Sequence, residues 1–200
     1  KYDQLNLEIK KNELNSQNVV EKQDVVDVIS ARTKVPIYEV SRDSVKMIQT
    51  IENEFKKNVF GQEKAVSEVI KVIKKIKLGY KDDNKCYSLM FNGPSGVGKT
   101  FLAKLLGKIM VGEDNIIKLD MSEYRDSSSI SKIIGASPGY VGYMDNKNVL
   151  EEIRNHPHSV LILDEIEKAH PDVIHLFLQA LEDNCIKDAK GKRILFNNVI

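Results

Sequence analysis

The sequence predicts an α/β fold with a parallel sheet covered by helices on both faces. Three observations carry this. Short apolar runs alternate with amphipathic stretches from CYSLMFN onward. A glycine-rich turn joins the first run to a helix, and the third run, SVLILD, closes on acids. The 200 residues are 42% hydrophobic, enough for one core with some chain to spare. Thirty basic residues against 29 acidic leave +1, which gives no footprint for nucleic acid or an anionic membrane. No apolar run approaches the roughly 20 residues that would span a bilayer. The chain opens at Lys1 with neither methionine nor signal-peptide pattern, so processing or truncation is expected to hide any address. Cys86 and Cys185 lack metal-type spacing and read as reduced thiols.

The first eighteen residues are polar and weakly patterned, the expected end of an upstream region. Asp24 offers a cap for a short helix with Val25, Val28 and Ile29 on its apolar face. Pro36 marks a connection, so residues 1–43 read as upstream end and linker, and residues 44–200 as the main domain. Ser41 to Asp43 supplies the next cap. Met47, Ile48, Ile51 and Phe55 then give a helix, and after Gly61 a longer one carries Ala65, Val66, Val69, Ile70, Ile73 and Ile76. Acidic residues flank its KVIKKIK run, which makes a solvated face a better account than a DNA contact. CYSLMFN, IIKLD and SVLILD read as buried strands. Between the first two, FLAKLLGKIM is a helix with Phe101, Leu102, Leu105, Leu106 and Ile109 apolar, and FNNVI begins another strand.

GPSGVGKT fits G-x-x-x-x-G-K-[ST] between a strand and a helix, the context that gives this motif its meaning. Its glycines let backbone N–H groups turn towards a phosphate, and the helix N-terminus adds partial positive charge. Gly93, Pro94, Ser95, Gly96, Val97, Gly98, Lys99, Thr100 and Phe101 are the candidate nucleotide contacts. Lys99 reaches the phosphates of ATP and the Thr100 hydroxyl ligates Mg²⁺. Asp164 then holds Mg²⁺ through its hydration shell, and Glu165 orients the attacking water. Asp120, ending IIKLD, is as readily a helix cap as a site residue. His170 and His175 are five apart, and His156 and His158 flank Pro157, so no protein-held metal set forms. IIGASPGYVGYMDNK sets aromatics among glycines outside any periodic element. Composition alone favours packing onto the domain, with presentation of Tyr140 and Val141 to a ligand as the alternative.

ISARTKVP, VFGQEKAV, GPSGVGKT, LDMSEY, IIGASPGYVGY, LDEIEKAHPDV and ILFNNVI together resemble the second ATPase module of the Clp family of AAA+ ring unfoldases, over roughly Val25 to Ile200. The resemblance implies a P-loop NTPase large subdomain with a helical N-terminal extension, its C-terminal lid absent. It implies ATP hydrolysis coupled to threading of protein substrates through a homo-hexamer pore, with Lys99, Asp164 and Glu165 catalytic. It also implies adenine contacts from Val59 and Phe60, and Tyr140 and Val141 in a substrate-gripping pore loop. A secondary pore loop falls at Arg125 to Ser131. VFGQ and NHPHSVLILDE are most similar to the protease-partnered ClpA and ClpC branch, which implies a peptidase partner. A ClpB-type disaggregase is the near alternative, and a DNA-remodelling ATPase or a nucleotide switch without turnover the more distant ones. The expected compartment is bacterial cytoplasm or an organelle matrix, with neither nucleic acid nor membrane as partner. MDNKNVLEEI replaces the paired glycines and Leu-Thr that commonly follow the pore motif, and Lys34 replaces a linker glycine. Sensor, arginine-finger and lid residues would lie after Ile200, so this stretch alone is expected to turn over ATP slowly or not at all.

Overall fold

The computed structural model describes residues 20–33, 44–77, 86–136 and 148–200. The chain divides into two units, Lys1–Ser41 and Arg42–Ile200. In the first, helix α1 spans Lys22–Thr33. Asp24 lies inside it rather than capping it, and its Oδ2 accepts from the Glu21 N–H at 2.9 Å, half of a capping box. The expected face is corrected too. Val25, Val28 and Ile29 are exposed, and Val26 is the buried residue.

The second unit begins with α2 (Ser44–Asn58) and α3 (Glu63–Lys77), which pack on each other. Ile51 and Phe55 of α2, and Val66, Val69, Ile70 and Ile73 of α3, are buried. Each such side chain stabilises the unit by about 1.5–3 kcal/mol. Helix α4 (Lys99–Val111) follows the glycine turn, then strand β1 (Ile116–Asp120), short helices α5 (Ile130–Ile134) and α6 (Val149–Asn155), strand β2 (Val160–Asp164) and helix α7 (Pro171–Asp183). The β1 and β2 strands run parallel, with Ile116 opposite Val160, Lys118 opposite Ile162, and Asp120 opposite Asp164.

Side chains alternate across a strand, so this register fixes two faces. Ile117, Leu119, Leu161 and Leu163 join a core with Ile153, Val173 and Phe177, beneath α6 and α7. The opposite face carries Ile116, Lys118, Asp120, Val160, Ile162 and Asp164. Helix α4 lies on that face, and so tightly that a Cβ on Gly107 would meet Ile116 Cγ1 at 2.9 Å and Val160 Cβ at 3.5 Å. Glycine at 107 is therefore a packing requirement. Leu102, Leu106, Met110 and Val111 complete the buried side of α4, while Phe101 is exposed, contrary to the helical pattern.

One expected strand is corrected. Residues 86–92 make no ladder among the described residues, and Met90 is 86% exposed. Apolarity tells that a segment seeks burial, but a strand exists only through its neighbour's hydrogen bonds. One edge of β2 is taken by β1. At its other edge Leu161 N–H donates to the Ile200 carbonyl at 2.9 Å, and Ile200 N–H to that of Ser159 at 3.2 Å. FNNVI turns at Asn197 and Asn198 and pairs with β2 only at its last residue, Ile200, whose two backbone bonds are those of a parallel bridge, with Phe196 and Val199 buried. An antiparallel pair not foreseen, β3 (Cys185–Lys187) and β4 (Arg193–Leu195), joins the core through Ile186 and Ile194. Its turn is held by Asp188, whose Oδ1 accepts from the Lys190 and Lys192 N–H groups. Among the described residues no helix is long and apolar enough to cross a membrane.

Candidate nucleotide site

The turn before α4 is exposed from Asn92 to Gly98. Gly96 (φ 81°) and Gly98 (φ 91°) occupy the left-handed region, with open space where a Cβ would stand. Glycine is thus required there by backbone conformation, since a side chain would cost roughly 1–2 kcal/mol per position. Gly98 is the N-cap of α4, and no side chain caps that helix end. Its first N–H groups, with the helix dipole behind them, form an anion-binding terminus. Lys99 Nζ bends back to donate to the Gly93 and Pro94 carbonyls at 2.8 and 2.7 Å. Gln62 Nε2 reaches the Val97 carbonyl at 3.4 Å, linking the turn to the segment after Val59 and Phe60. Val59 is half-buried, whereas Phe60 is 81% exposed.

Asp164 ends β2 on the same face as α4. The Thr100 hydroxyl donates to its Oδ1 and Oδ2 at 3.1 and 3.2 Å, across 64 residues of sequence. Lys118, two residues before the end of β1, places Nζ 2.9 Å from Asp164 Oδ2. That ammonium, with Thr100 assisting, holds the Asp164 carboxyl below the usual range against a smaller opposing effect of burial. Glu165 is one of two non-glycine residues with positive φ among the described residues, at φ 55° and ψ 44°. Such a conformation stores about 1–3 kcal/mol and re-aims the side chain out of the strand. Its Oε2 lies 2.6 Å from Lys168 Nζ, one turn on.

Asp120 is a cap. Its Oδ1 accepts from the Ser122 N–H at 2.9 Å, and the Ser122 side chain first, then this amide, lower its pKa. The Arg125 to Ser131 stretch forms a 3₁₀ turn, Ser127–Ser129, that runs into α5. His156 Nδ1 pairs with Asn115 Oδ1 at 2.8 Å, and His170 caps α7 by accepting from the Asp172 N–H. Tyr140 and Val141 lie outside the described residues, as do Pro36 and the cap at Ser41 to Asp43. Sequence reasoning missed Lys118, Lys168 and Gln62. A lone lysine inside the apolar IIKLD run was the available signal for the first.

A glycine cradle at a helix N-terminus, joined by a hydroxyl–carboxylate hydrogen bond to the end of a parallel strand, defines a P-loop nucleoside-triphosphatase fold. The donor set fits a magnesium nucleotide, with amides and an ammonium for phosphate and hard oxygens for the metal. Residues 84–200 match the family model described as AAA domain (Cdc48 subfamily). The chain is 42% identical over 184 residues to "Chaperone protein ClpB" of Aquifex aeolicus, covering 91% of this chain and 18% of that protein. It is 39% identical over 202 residues to "ATP-dependent Clp protease ATP-binding subunit ClpE" of Bacillus subtilis, covering 99% and 29%. It is 36% identical over 201 residues to the corresponding ClpC of Staphylococcus saprophyticus, covering 100% and 24%. The chain belongs to the Clp family of AAA+ ATPases. It spans between 18 and 29% of the length of these relatives.

Proposed function

We propose that the chain is the ATP-hydrolysing module of a Clp-type protein unfoldase. The Thr100–Asp164 hydrogen bond carries the reading, because it joins the phosphate turn to the end of β2 at one point. Lys99 exchanges the two carbonyls it now holds for the β- and γ-phosphates. Thr100, donating to Asp164, would offer an oxygen lone pair to magnesium, and Asp164 would hold the ion through its hydration water; the ion would supply neutralisation of phosphate charge. Glu165 orients the attacking water and takes its proton, for which its pair with Lys168 has to open. Val59 and Phe60 cover the adenine, and the exposure of Phe60 supports a ligand-facing role. The full-length protein threads polypeptide through a hexamer pore gripped by Tyr140 and Val141. The names of the ClpE and ClpC relatives support a peptidase as its downstream partner, and that of the ClpB relative supports a chaperone role.

The test is a pair of variants in the full-length protein. Lys99→Ala loses binding of the fluorescent analogue MANT-ADP, whereas Glu165→Gln keeps binding and loses turnover. Equal affinity in the first variant, or unchanged kcat in the second, refutes the assigned role. A tagged reporter degraded only when a peptidase is added supports the protease branch, and recovery of aggregated reporter without one supports the other. Tyr140→Ala uncouples hydrolysis from unfolding, and retained unfolding removes the pore role.

A further inference from the structure

Lys118 has no part in the roles assigned above, yet it faces the site. Alternation along β1 buries Ile117 and Leu119 and leaves Lys118 and Asp120 on the α4 face. Asp120 is occupied with the Ser122 amide, so the free length of Lys118 extends to Asp164 instead. Its Nζ sits 2.9 Å from Oδ2, with side-chain exposures of 36% for the lysine and 26% for the aspartate. The pair is therefore partly shielded and less screened than a surface ion pair. Thr100 approaches the same carboxylate from α4. Asp164 is thus held from two elements by one neutral donor and one cation.

A carboxylate that helps to hold Mg²⁺ already has a cation beside it. We infer that Lys118 is a positioning residue that stands in for magnesium at Asp164 in the nucleotide-free site and weakens the site's hold on the metal. The inference rests on the nucleotide reading given above. The ammonium offsets the carboxylate's charge when no metal is there, which keeps Asp164 aimed at Thr100. When the metal arrives, dication and ammonium share one anion and repel each other. Nucleotide binding then needs more Mg²⁺ than it would beside an apolar residue, and the metal leaves more readily.

The experiment is a Mg²⁺ titration of MANT-ADP binding by the full-length protein, run on wild type, Lys118→Met and Lys118→Arg. Thermal melts without nucleotide establish that each variant is folded. The methionine variant should reach half-maximal binding at roughly five- to tenfold lower Mg²⁺, from repulsion of a dication by one charge at solvent-like dielectric. Arginine keeps the charge, so its midpoint should equal or exceed that of wild type. A merely structural lysine would move the melt and leave the Mg²⁺ midpoint alone. An unchanged or raised midpoint in folded Lys118→Met overturns the inference. If the methionine variant does not fold, Lys118→Gln takes its place: a lowered midpoint in it upholds the inference, and an unchanged or raised one overturns it. Wild type that binds no MANT-ADP at all sinks the nucleotide reading and this inference with it. Normal binding with an unshifted midpoint sinks only the role of Lys118.

Discussion

Gly107 offers a test of how α4 is seated, because two opposing effects can be weighed there. Replacing it by alanine gains about 1 kcal/mol of helix propensity. The new Cβ meets Ile116 Cγ1 at 2.9 Å and Cδ1 at 3.0 Å. Real Cβ atoms hardly ever come that close, so Ile116 has to turn or the helix has to lift. Overpacking of this kind costs typically 1–3 kcal/mol. Gly107→Ala is therefore expected to destabilise by about 1 kcal/mol net. Gly107→Val adds two methyls in the same gap and gives back most of the propensity gain, for a net loss of about 3 kcal/mol. At this chain length those losses lower Tm by about 2–4 °C and 6–12 °C. Calorimetry or urea unfolding reads both. A lifted helix also stretches the 3.1 Å link between Thr100 and Asp164, so MANT-ADP binding by the valine variant should weaken even well below its Tm. Valine tolerated without loss of stability would refute the close seating of α4 on β1 and β2. Valine that destabilises but leaves nucleotide affinity intact would show that the seating does not set the site's geometry.

Three further outcomes are expected. His156→Ala removes a 2.8 Å bond to the buried Asn115 and should cost about 0.5–1.5 kcal/mol in urea unfolding; wild-type stability would remove His156 from that role. Asn184 ends α7 in the left-handed region at φ 53° with its Oδ1 buried and unbonded among the described residues, so Asn184→Gly should raise stability by about 0.5–1 kcal/mol, and a fall would show that the amide has a use. Because Lys118 depresses the Asp164 pKa, the stabilisation from this pair is complete above the unfolded value of about 3.9 and fades as pH falls through the lower folded value. Asp164→Asn should therefore flatten the nucleotide-free acid-stability profile below about pH 4, and an identical profile would show that the pair contributes nothing.

What the sequence made legible was the chemistry that contiguous residues must perform. A phosphate cradle needs its glycines, lysine and threonine in one unbroken turn, so Gly93 to Thr100 could be read as a unit. Asp164 and Glu165 were readable because they close an apolar run. Lys118 and Lys168 were not, since their value depends on which strand lies alongside and how the backbone turns at Glu165. Residues 86–92 show the same limit from the other side, since their apolar run was plain and the presence of a ladder partner was not. The hairpin of β3 and β4 was there to be found in Asp188 and Gly191, a turn signal between two short runs. Phe101 was assigned to the wrong side of α4 because helical periodicity cannot say how wide the buried stripe is.

The pairing of Asp120 with Asp164 makes correct wiring a condition of being folded at all. Sliding one strand of that ladder by a single step would drive its carboxylate into hydrocarbon and turn its leucines out to water. A mispaired molecule would therefore lose its core together with the seat of Asp164 beside Thr100, so one register secures both.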